Sequence, residues 1–270
     1  MVRNITMGQY IPGNSILHRA DPRTKIIWTV LLLVMLFTAN NVYGYVMMLA
    51  LVGIILTVSE IRISYTLRGI KPLLVILVIT SAINIFAYQG NTVLVSVGAL
   101  KITLEGILQA VIISVRLSLM VIIGSVLTLT TTPIALTDGL EKLMMPLKKI
   151  KVPVHEMAMM MSIALRFIPT LLEETDRIIK AQSSRGADFD TGNFIDKAKS
   201  FIPVLIPLFI SAFKRAEELA IAMESRCYRG DVGRTRMKEL AYTSVDRNIN
   251  IFLTGFLIVF IISTFVVQSI

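Results

Sequence analysis

The stretch GILQAVIISVRLSLMVIIG, residues 106–124, carries one charged side chain, Arg116, among aliphatic and small residues. A helix needs ~20 predominantly apolar residues to cross the hydrocarbon core of a bilayer. The stretch therefore predicts a transmembrane helix. The whole chain agrees, because 54% of its 270 residues are hydrophobic, 17% are charged, and the mean hydropathy is +0.73. Such values are typical of an all-α, polytopic membrane protein and exclude an ordinary soluble domain.

Apolar runs predict about five transmembrane helices, over residues 26–38, 43–59, 70–88, 107–131 and 249–268. Lysine and arginine predict their orientation, because cytoplasmic loops are enriched in both. Residues 1–25 hold four of them, residues 89–106 hold only Lys101, and residues 133–248 hold eighteen. The N-terminus and the segment 133–248 are therefore predicted to be cytoplasmic, and the C-terminus is predicted to lie outside.

The chain is predicted to divide into transmembrane helices 1–4 (residues 1–132), a cytoplasmic helical insert (133–248) and a C-terminal transmembrane helix (249–270). Within the insert, residues 157–172 and 201–213 are also apolar, which leaves a seven-span alternative open. That alternative would place five basic residues outside, against the charge bias: Arg177, Lys180, Arg185, Lys197 and Lys199. We interpret both segments as amphipathic helices that pack on each other and on the inner membrane surface.

Few side chains suggest chemistry. His18 and His155 lie in unrelated segments, Cys227 is the single cysteine, and the sequence has no phosphate-binding or metal-binding motif. We therefore predict no catalytic residue, no metal and no cofactor. Cytoplasmic loops account for the net charge of +9, so no nucleic-acid partner is predicted.

Arg116 is expected to face the interior of the helix bundle or a cavity, because a charge near the middle of a span is costly. It would either lie on a substrate or proton path, or have a structural role, as a tie between two helices with Asn84 as a candidate partner or as an arginine that snorkels toward a lipid headgroup. No predicted span contains an acidic residue, and this favours the structural tie.

Alanines recur every four residues in the helical stretch 212–225, at Ala212, Ala216 and Ala220. Residues at this spacing share one face of a helix. A row of small side chains lets another helix approach closely, so we predict a helix-crossing interface on this face.

Two helical stretches of the insert end alike, in SSRGAD (183–188) and in ESRCYRG (224–230). An arginine in the last turn interacts favourably with the helix dipole. Its small neighbours also leave the guanidinium accessible to a carboxylate-lined pocket on a partner. Glycine suits the position after a helix, so the first helix is expected to end at Gly186 and the second near Tyr228–Gly230.

These motifs, taken in order, resemble the transmembrane coupling subunit (T component) of energy-coupling factor transporters, the prokaryotic importers of vitamins and metals. RADPRTKI (19–26) resembles the family's first cytoplasmic motif, TLTTTP (128–133) its exit from the membrane, and LRFIPTLLEE (165–174) the start of a coupling helix. SSRGAD and AMESRCYRG resemble its two Ala-Arg-Gly signatures. The resemblance covers almost the whole chain.

The resemblance implies a non-catalytic subunit in the cell membrane of a prokaryote, with two ABC-type ATPase subunits and a small substrate-binding membrane subunit as partners. It also implies that the two signatures dock the ATPases through Ser184, Arg185, Gly186, Ser225, Arg226 and Cys227. The chain departs from the family pattern where Ser184 and Ser225 replace alanine and Cys227 replaces glycine. A permease that binds its own substrate, or a membrane enzyme, is the alternative.

Overall fold

The computed structural model describes residues 10–39, 41–87, 92–97, 100–187, 189, 193–230 and 239–269. Helices dominate these ranges. Two short 3-10 segments, Lys71–Leu73 and Met145–Ile150, follow the fourth and the seventh α-helix of the chain. In chain order the elements are α1 (Ile16–Arg19), α2 (Pro22–Thr38), α3 (Val42–Ser59), α4 (Ile63–Ile70), α5 (Leu74–Ala87), β1 (Val93–Val97), β2 (Leu100–Thr103), α6 (Leu104–Thr130), α7 (Pro133–Met144), α8 (Val154–Ser184), α9 (Phe194–Ser200), α10 (Ile202–Ser225) and α11 (Ser244–Ser269).

The fold is helical, as predicted, but a short β-hairpin joins α5 to α6. Its strands β1 and β2 pair antiparallel, with Ser96 opposite Lys101 and Val97 opposite Leu100. The sequence of β1, VLVSV, is rich in β-branched valine, which favours strands. The sequence analysis did not predict these strands.

Four helical segments among the described residues are long and apolar enough to cross a membrane: Val42–Ser59, Ile63–Ala87, Leu104–Thr130 and Ser244–Thr264. They correspond to four of the five predicted spans. α2 has 17 residues, or about 25 Å of helix, slightly less than the ~30 Å of hydrocarbon in a bilayer. The span over residues 26–38 therefore stays a prediction. The four segments do not include α8 or α10, which contain the two segments of the seven-span alternative.

The chain forms two compact units, one made mainly of Glu141–Glu239 and the other of Gly8–Leu140 with Leu240–Ile270. In the second unit α2, α3, α6 and α11 share an apolar core, whose most buried side chains include Leu36, Met48, Leu119 and Phe260. α4 and α5 lie along α6 and run antiparallel to it. Ser81 and Ser114 hydrogen-bond through their hydroxyls at 2.8 Å, while Gly69 lies against Ser125.

Arg116 lies in α6 and ties this helix to α2 and α3. Its Nε donates to the hydroxyl of Tyr45 at 2.8 Å, its Nη2 also donates to that hydroxyl, and Nη2 donates to the carbonyl of Ala39 at 3.3 Å. Ala39 is the C-cap of α2, so the guanidinium satisfies a carbonyl that the helix leaves free. The sequence suggested Asn84 as the partner of Arg116, and this prediction is wrong. The side chain of Asn84 donates to the carbonyl of Thr80 in its own helix.

We expect Arg116→Gln and Tyr45→Phe each to lower the free energy of unfolding by about 1.5–3 kcal/mol, the range for hydrogen bonds to charged groups. The double mutant should lose less than the sum, because the two side chains share one interaction. Thermal denaturation in detergent measures both effects. Thr128→Val is the matched control, since that hydroxyl bonds only carbonyls of its own helix. Strictly additive losses would show that Arg116 and Tyr45 act independently.

Candidate functional site

α8 and α10 pack against each other in antiparallel directions. Gln182, near the end of α8, donates to the carbonyl of Pro203, near the start of α10, at 3.4 Å. Tyr228, just beyond the end of α10, donates to the sulfur of Met159, near the start of α8, at 3.0 Å. The predicted packing of the two insert helices on each other is therefore confirmed, while their place at the membrane surface stays a prediction.

Glu174 and Arg215 form the strongest contact between these two helices. The Nη2 of Arg215 donates to one carboxylate oxygen of Glu174 at 2.6 Å, and the hydroxyl of Ser211 donates to the other at 2.6 Å. The sequence analysis missed this cluster. A faint signal was present, because Ser211 and Arg215 lie four residues apart and therefore on one helix face.

The end of α8 is a Schellman turn. Arg185 is the C-cap, and Gly186 follows it with φ of 90°. The amide of Gly186 donates to the carbonyl of Ser183, and the amide of Ala187 donates to that of Gln182, both at 3.0 Å. These two bonds define the motif, and the helix ends at Gly186 as predicted.

The end of α10 repeats the same turn with cysteine in place of glycine. Arg226 is the C-cap, and Cys227 has φ of 57°. The amide of Cys227 donates to the carbonyl of Glu224 at 2.9 Å, and the amide of Tyr228 donates to that of Met223 at 3.0 Å. The predicted end near Tyr228–Gly230 is therefore wrong, because the left-handed residue that reverses the chain is Cys227.

The two arginines are presented in the same way. Both side chains are exposed, and neither guanidinium has a hydrogen bond or ion pair to any residue that the structure describes. Ser184 and Ser225 fold back onto their own helices, where their hydroxyls donate to Lys180 and Ala222 carbonyls at 3.0 Å. The small neighbours therefore leave each guanidinium free for an external partner.

The antiparallel packing separates the two arginines. Glu174 of α8 contacts Arg215 of α10, and each arginine lies eleven residues beyond its member of this pair, on opposite sides of the contact. Twenty-two residues at ~1.5 Å per residue are about 33 Å. The two arginines therefore lie far apart along the helix pair.

The alanine row lies on a side of α10 that α8 does not cover. Ala216 and Ala220 are exposed and Ala212 is half-buried, whereas the contacts to α8 come from Ser211 and Arg215. The crossing interface stays a prediction.

The first cytoplasmic motif joins the membrane exit in the other compact unit. Nζ of Lys25 donates to the carbonyl of Thr130 at 3.1 Å and to the hydroxyl of Thr131 at 3.2 Å. The motifs RADPRTKI and TLTTTP are thus in contact through this ammonium. Burial lowers the pKa of Lys25 to about 8, and the attraction of Asp246 and Asp21 opposes this shift only in part.

Asp246 joins the start of α11 to the start of α2. One of its oxygens accepts the amide of Asp21 at 2.7 Å, and the other accepts the amide and hydroxyl of Thr243 at 2.9 and 2.8 Å. Thr243 and Asp246 have the spacing of a capping box, a signal in TSVD that explains why α11 begins at Ser244 and not at residue 249. Asp21 in turn caps α2 and pairs with Arg23 at 2.7 Å, and this hydrogen bond raises the pKa of Arg23.

Both histidines have polar partners. His155 is buried and its Nδ1 lies 3.1 Å from Glu141. His18 contacts the hydroxyl of Ser15 at 2.7 Å and the carbonyl of Ile11 at 3.0 Å. No group of three His, Cys, Asp or Glu among the described residues could hold a metal ion.

A cavity of about 260 Å³ lies among α1, α2, α3, α6 and α11. Its lining is mostly aliphatic and aromatic, and includes Trp28, Ile55, Ile123 and Phe252, while Lys25 is its only charged side chain. Such a lining offers few hydrogen bonds to a polar solute.

Comparison with known proteins adds an independent finding. Residues 13–238 match the family CbiQ, described as "Cobalt transport protein". The chain is 60% identical over 260 residues to the "Energy-coupling factor transporter transmembrane protein EcfT" of Ruminiclostridium cellulolyticum, covering 96% of both chains. A relative of the same name from Thermosediminibacter oceani is 52% identical, over 91% of this chain and 92% of the relative. Another, from Bacillus subtilis, is 45% identical, over 92% of this chain and 94% of the relative.

Cys227→Gly should stabilise the end of α10 by about 1 kcal/mol, because glycine enters the left-handed region without the steric cost that a Cβ carries there. Hydrogen exchange measured by mass spectrometry should therefore slow in the last turn of α10. Cys227→Ala is the matched control, since it removes the thiol and keeps the Cβ. Equal slowing in both variants would attribute the effect to the thiol and contradict the backbone explanation.

Proposed function

Because this chain belongs to the EcfT family of energy-coupling factor transporter transmembrane proteins, we propose that it couples two ATPase subunits to a small membrane subunit that binds the transported solute. The solute class that we propose is a vitamin or a similar micronutrient. The observation that supports the proposal is the pair of equivalent helix ends, in which Arg185 and Arg226 are C-caps of the same turn and have exposed guanidinium groups with no ion pair to a described residue.

Two similar ATPases fit these ends better than one partner with one pocket. The turns at Gly186 and Cys227 have the same hydrogen-bond pattern, so each presents its arginine in the same local geometry. The ends lie about 33 Å apart along the helix pair, which suits two subunits that each contribute one pocket.

Each pocket should contain a carboxylate that is partly shielded from water. A guanidinium offers a planar set of donors that matches a carboxylate at two points. An arginine that stayed on a solvated rim would contribute little, because exposed ion pairs contribute only ~0–1 kcal/mol. A desolvated acidic groove on each ATPase is therefore the partner surface that we propose.

The charge distribution supports an N-terminus and an insert in the cytoplasm, where ATP is present, in the cell membrane of a prokaryote. The same reasoning makes this chain a non-catalytic subunit, since the proposed ATP hydrolysis belongs to its partners. The alternative of a permease with its own binding site finds little support in the apolar cavity, because a polar micronutrient needs hydrogen-bonding groups.

Arg185→Ala and Arg226→Ala should each weaken ATPase binding by ~2–5 kcal/mol, the usual cost of removing one partner of a desolvated charge pair. The double mutant should release both ATPases, and lysine should restore binding only in part, because it lacks the planar fork. Co-purification of the ATPases in moderate salt is the measurement.

Lys180→Ala and Arg229→Ala are the controls for this experiment, because both are exposed basic residues close to the two ends. They should leave ATPase binding unchanged. If the Arg185→Ala, Arg226→Ala double mutant still co-purifies with both ATPases, the two arginines act only as helix caps and the docking proposal fails.

Single cysteines in the Cys227→Ser background test the proposed orientation. Thr92→Cys should react with a membrane-impermeant maleimide on intact cells, whereas Ser64→Cys and Lys199→Cys should react only after permeabilisation. All three positions are exposed. Reaction of Lys199→Cys on intact cells would contradict the cytoplasmic insert and favour the seven-span alternative.

A further inference from the structure

The apolar cavity among α1, α2, α3, α6 and α11 has no part in the proposed coupling, and its size and lining suit an apolar ligand. Its volume is about 260 Å³. An engineered cavity of ~150 Å³ with a similar lining stays dry and binds benzene. By the same proportion, this cavity has room for about ten carbon atoms of an apolar molecule.

The cavity lies at one end of the helices that surround it. Its lining comes from Thr24 to Leu32 in α2, Val52 to Val58 in α3, Ile123 to Thr130 in α6 and Asn248 to Leu253 in α11. α2 and α11 begin at this end, whereas α3 and α6 finish there. The stretch of α2 is about 12 Å long, which is most of the ~15 Å that one leaflet contributes to a hydrocarbon core of ~30 Å. The cavity therefore has the depth of a single leaflet.

The cavity is closed by the core of the bundle on one side and opens on the other. Leu32 and Ile123 line it and are buried. Ile16, Ile54 and Phe252 also line it, but they are exposed and therefore mark its opening. Ile54 and Phe252 lie on helices that are long and apolar enough to cross a membrane. The opening between α3 and α11 is therefore expected to face the hydrocarbon of the bilayer.

A cation lies at the end of the cavity that is nearest to the membrane surface. Among the described residues that line the cavity, Lys25 is the only charged one, and its ammonium group has three hydrogen-bond donors. Two of them are directed at Thr130 and Thr131, at 3.1 and 3.2 Å, and the next acceptor, the carbonyl of His18, is 3.5 Å away. A contact of this length is weak, so the third donor can serve a stronger acceptor such as a phosphate oxygen.

The chain around this end of the cavity carries an excess of positive charge. Residues 16–25 and 244–253 hold two aspartates and four basic residues, namely Arg19, Arg23, Lys25 and Arg247. Both carboxylates are bonded within the chain, Asp21 to Arg23 and Asp246 to backbone amides. Arg19 and Arg247 are exposed and have no ion pair with a described residue. Basic residues at this level attract anionic lipid headgroups.

We propose that the cavity binds one acyl chain of an anionic phospholipid, and that the phosphate of the same lipid lies at the ammonium group of Lys25. The chain enters between α3 and α11 and fills apolar space that offers water no hydrogen bonds. A helix of a partner protein, ~10 Å across, is too wide for this space. The proposed orientation makes this a lipid of the cytoplasmic leaflet, whereas the binding itself rests only on the cavity and its charged end.

The single tryptophan of the chain makes the bound lipid measurable. Trp28 lines the cavity and is only 9% exposed, so an acyl chain inside the cavity touches it while the surrounding lipid barely reaches it. The full-length chain is placed in nanodiscs of phosphatidylcholine with a minor amount of phosphatidylglycerol. Bromine atoms, which quench indole fluorescence, are carried on the acyl chains of either the phosphatidylglycerol or an equal amount of the phosphatidylcholine.

Brominated phosphatidylglycerol should quench Trp28 about fivefold more than the same amount of brominated phosphatidylcholine, which is the preference that one cation near the membrane surface gives to an anionic lipid. Equal quenching by the two lipids, or quenching by neither, overturns the proposal without the need for any variant. Lys25→Gln should abolish the preference and keep the weaker quenching, whereas Lys25→Arg should retain the preference because it retains the charge.

Thr29→Phe should remove the quenching by both lipids, because Thr29 lines the cavity and a phenyl group takes the space of the acyl chain. Thr254→Phe is the matched control, since Thr254 is exposed on α11 and does not line the cavity; it should leave both signals unchanged. Thermal denaturation shows which variants are folded. A folded Thr29→Phe that is still quenched, or a folded Lys25→Gln that keeps the fivefold preference, contradicts the proposed site. None of these results depends on ATPase docking at Arg185 and Arg226.

Discussion

A charge or a free carbonyl that lies within the hydrocarbon of a bilayer has to find its partner within the protein, because hydrocarbon offers none. Arg116 meets this requirement at the end of α2, where it binds the carbonyl of Ala39 and the hydroxyl of Tyr45. Lys25, which precedes the predicted span 26–38, makes a similar contact at the end of α6, where it binds the carbonyl of Thr130. These two cations therefore complete helix ends and help to fix how the helices lie side by side.

In the insert, backbone amides and not cationic side chains bind the last carbonyls of α8 and α10. Schellman turns at Gly186 and Cys227 use backbone amides to cap the last carbonyls, so Arg185 and Arg226 are not needed for that purpose. A cation that is free, exposed and held on a rigid turn is well prepared to bind, because little conformational freedom of the backbone remains to be lost. Cys227 adopts the strained left-handed conformation to keep this turn at the second end.

The proposed function follows from the equivalence of these two ends. Two equivalent ends on antiparallel helices fit a pair of similar partners, each of which contributes one pocket.

The sequence by itself determined four of the membrane-crossing segments, the end of α8 at Gly186 and the matching positions of Arg185 and Arg226. These features depend on local patterns, such as apolar runs and a glycine after a helix. The start of α11 was also readable, in the capping box of TSVD. Only the tertiary structure decided that Arg116 binds Tyr45 and not Asn84, that Lys25 reaches a carbonyl 105 residues away, and that Glu174 pairs with Arg215. Such partners depend on which helix faces which, and local spacing along the chain carries no information about that choice.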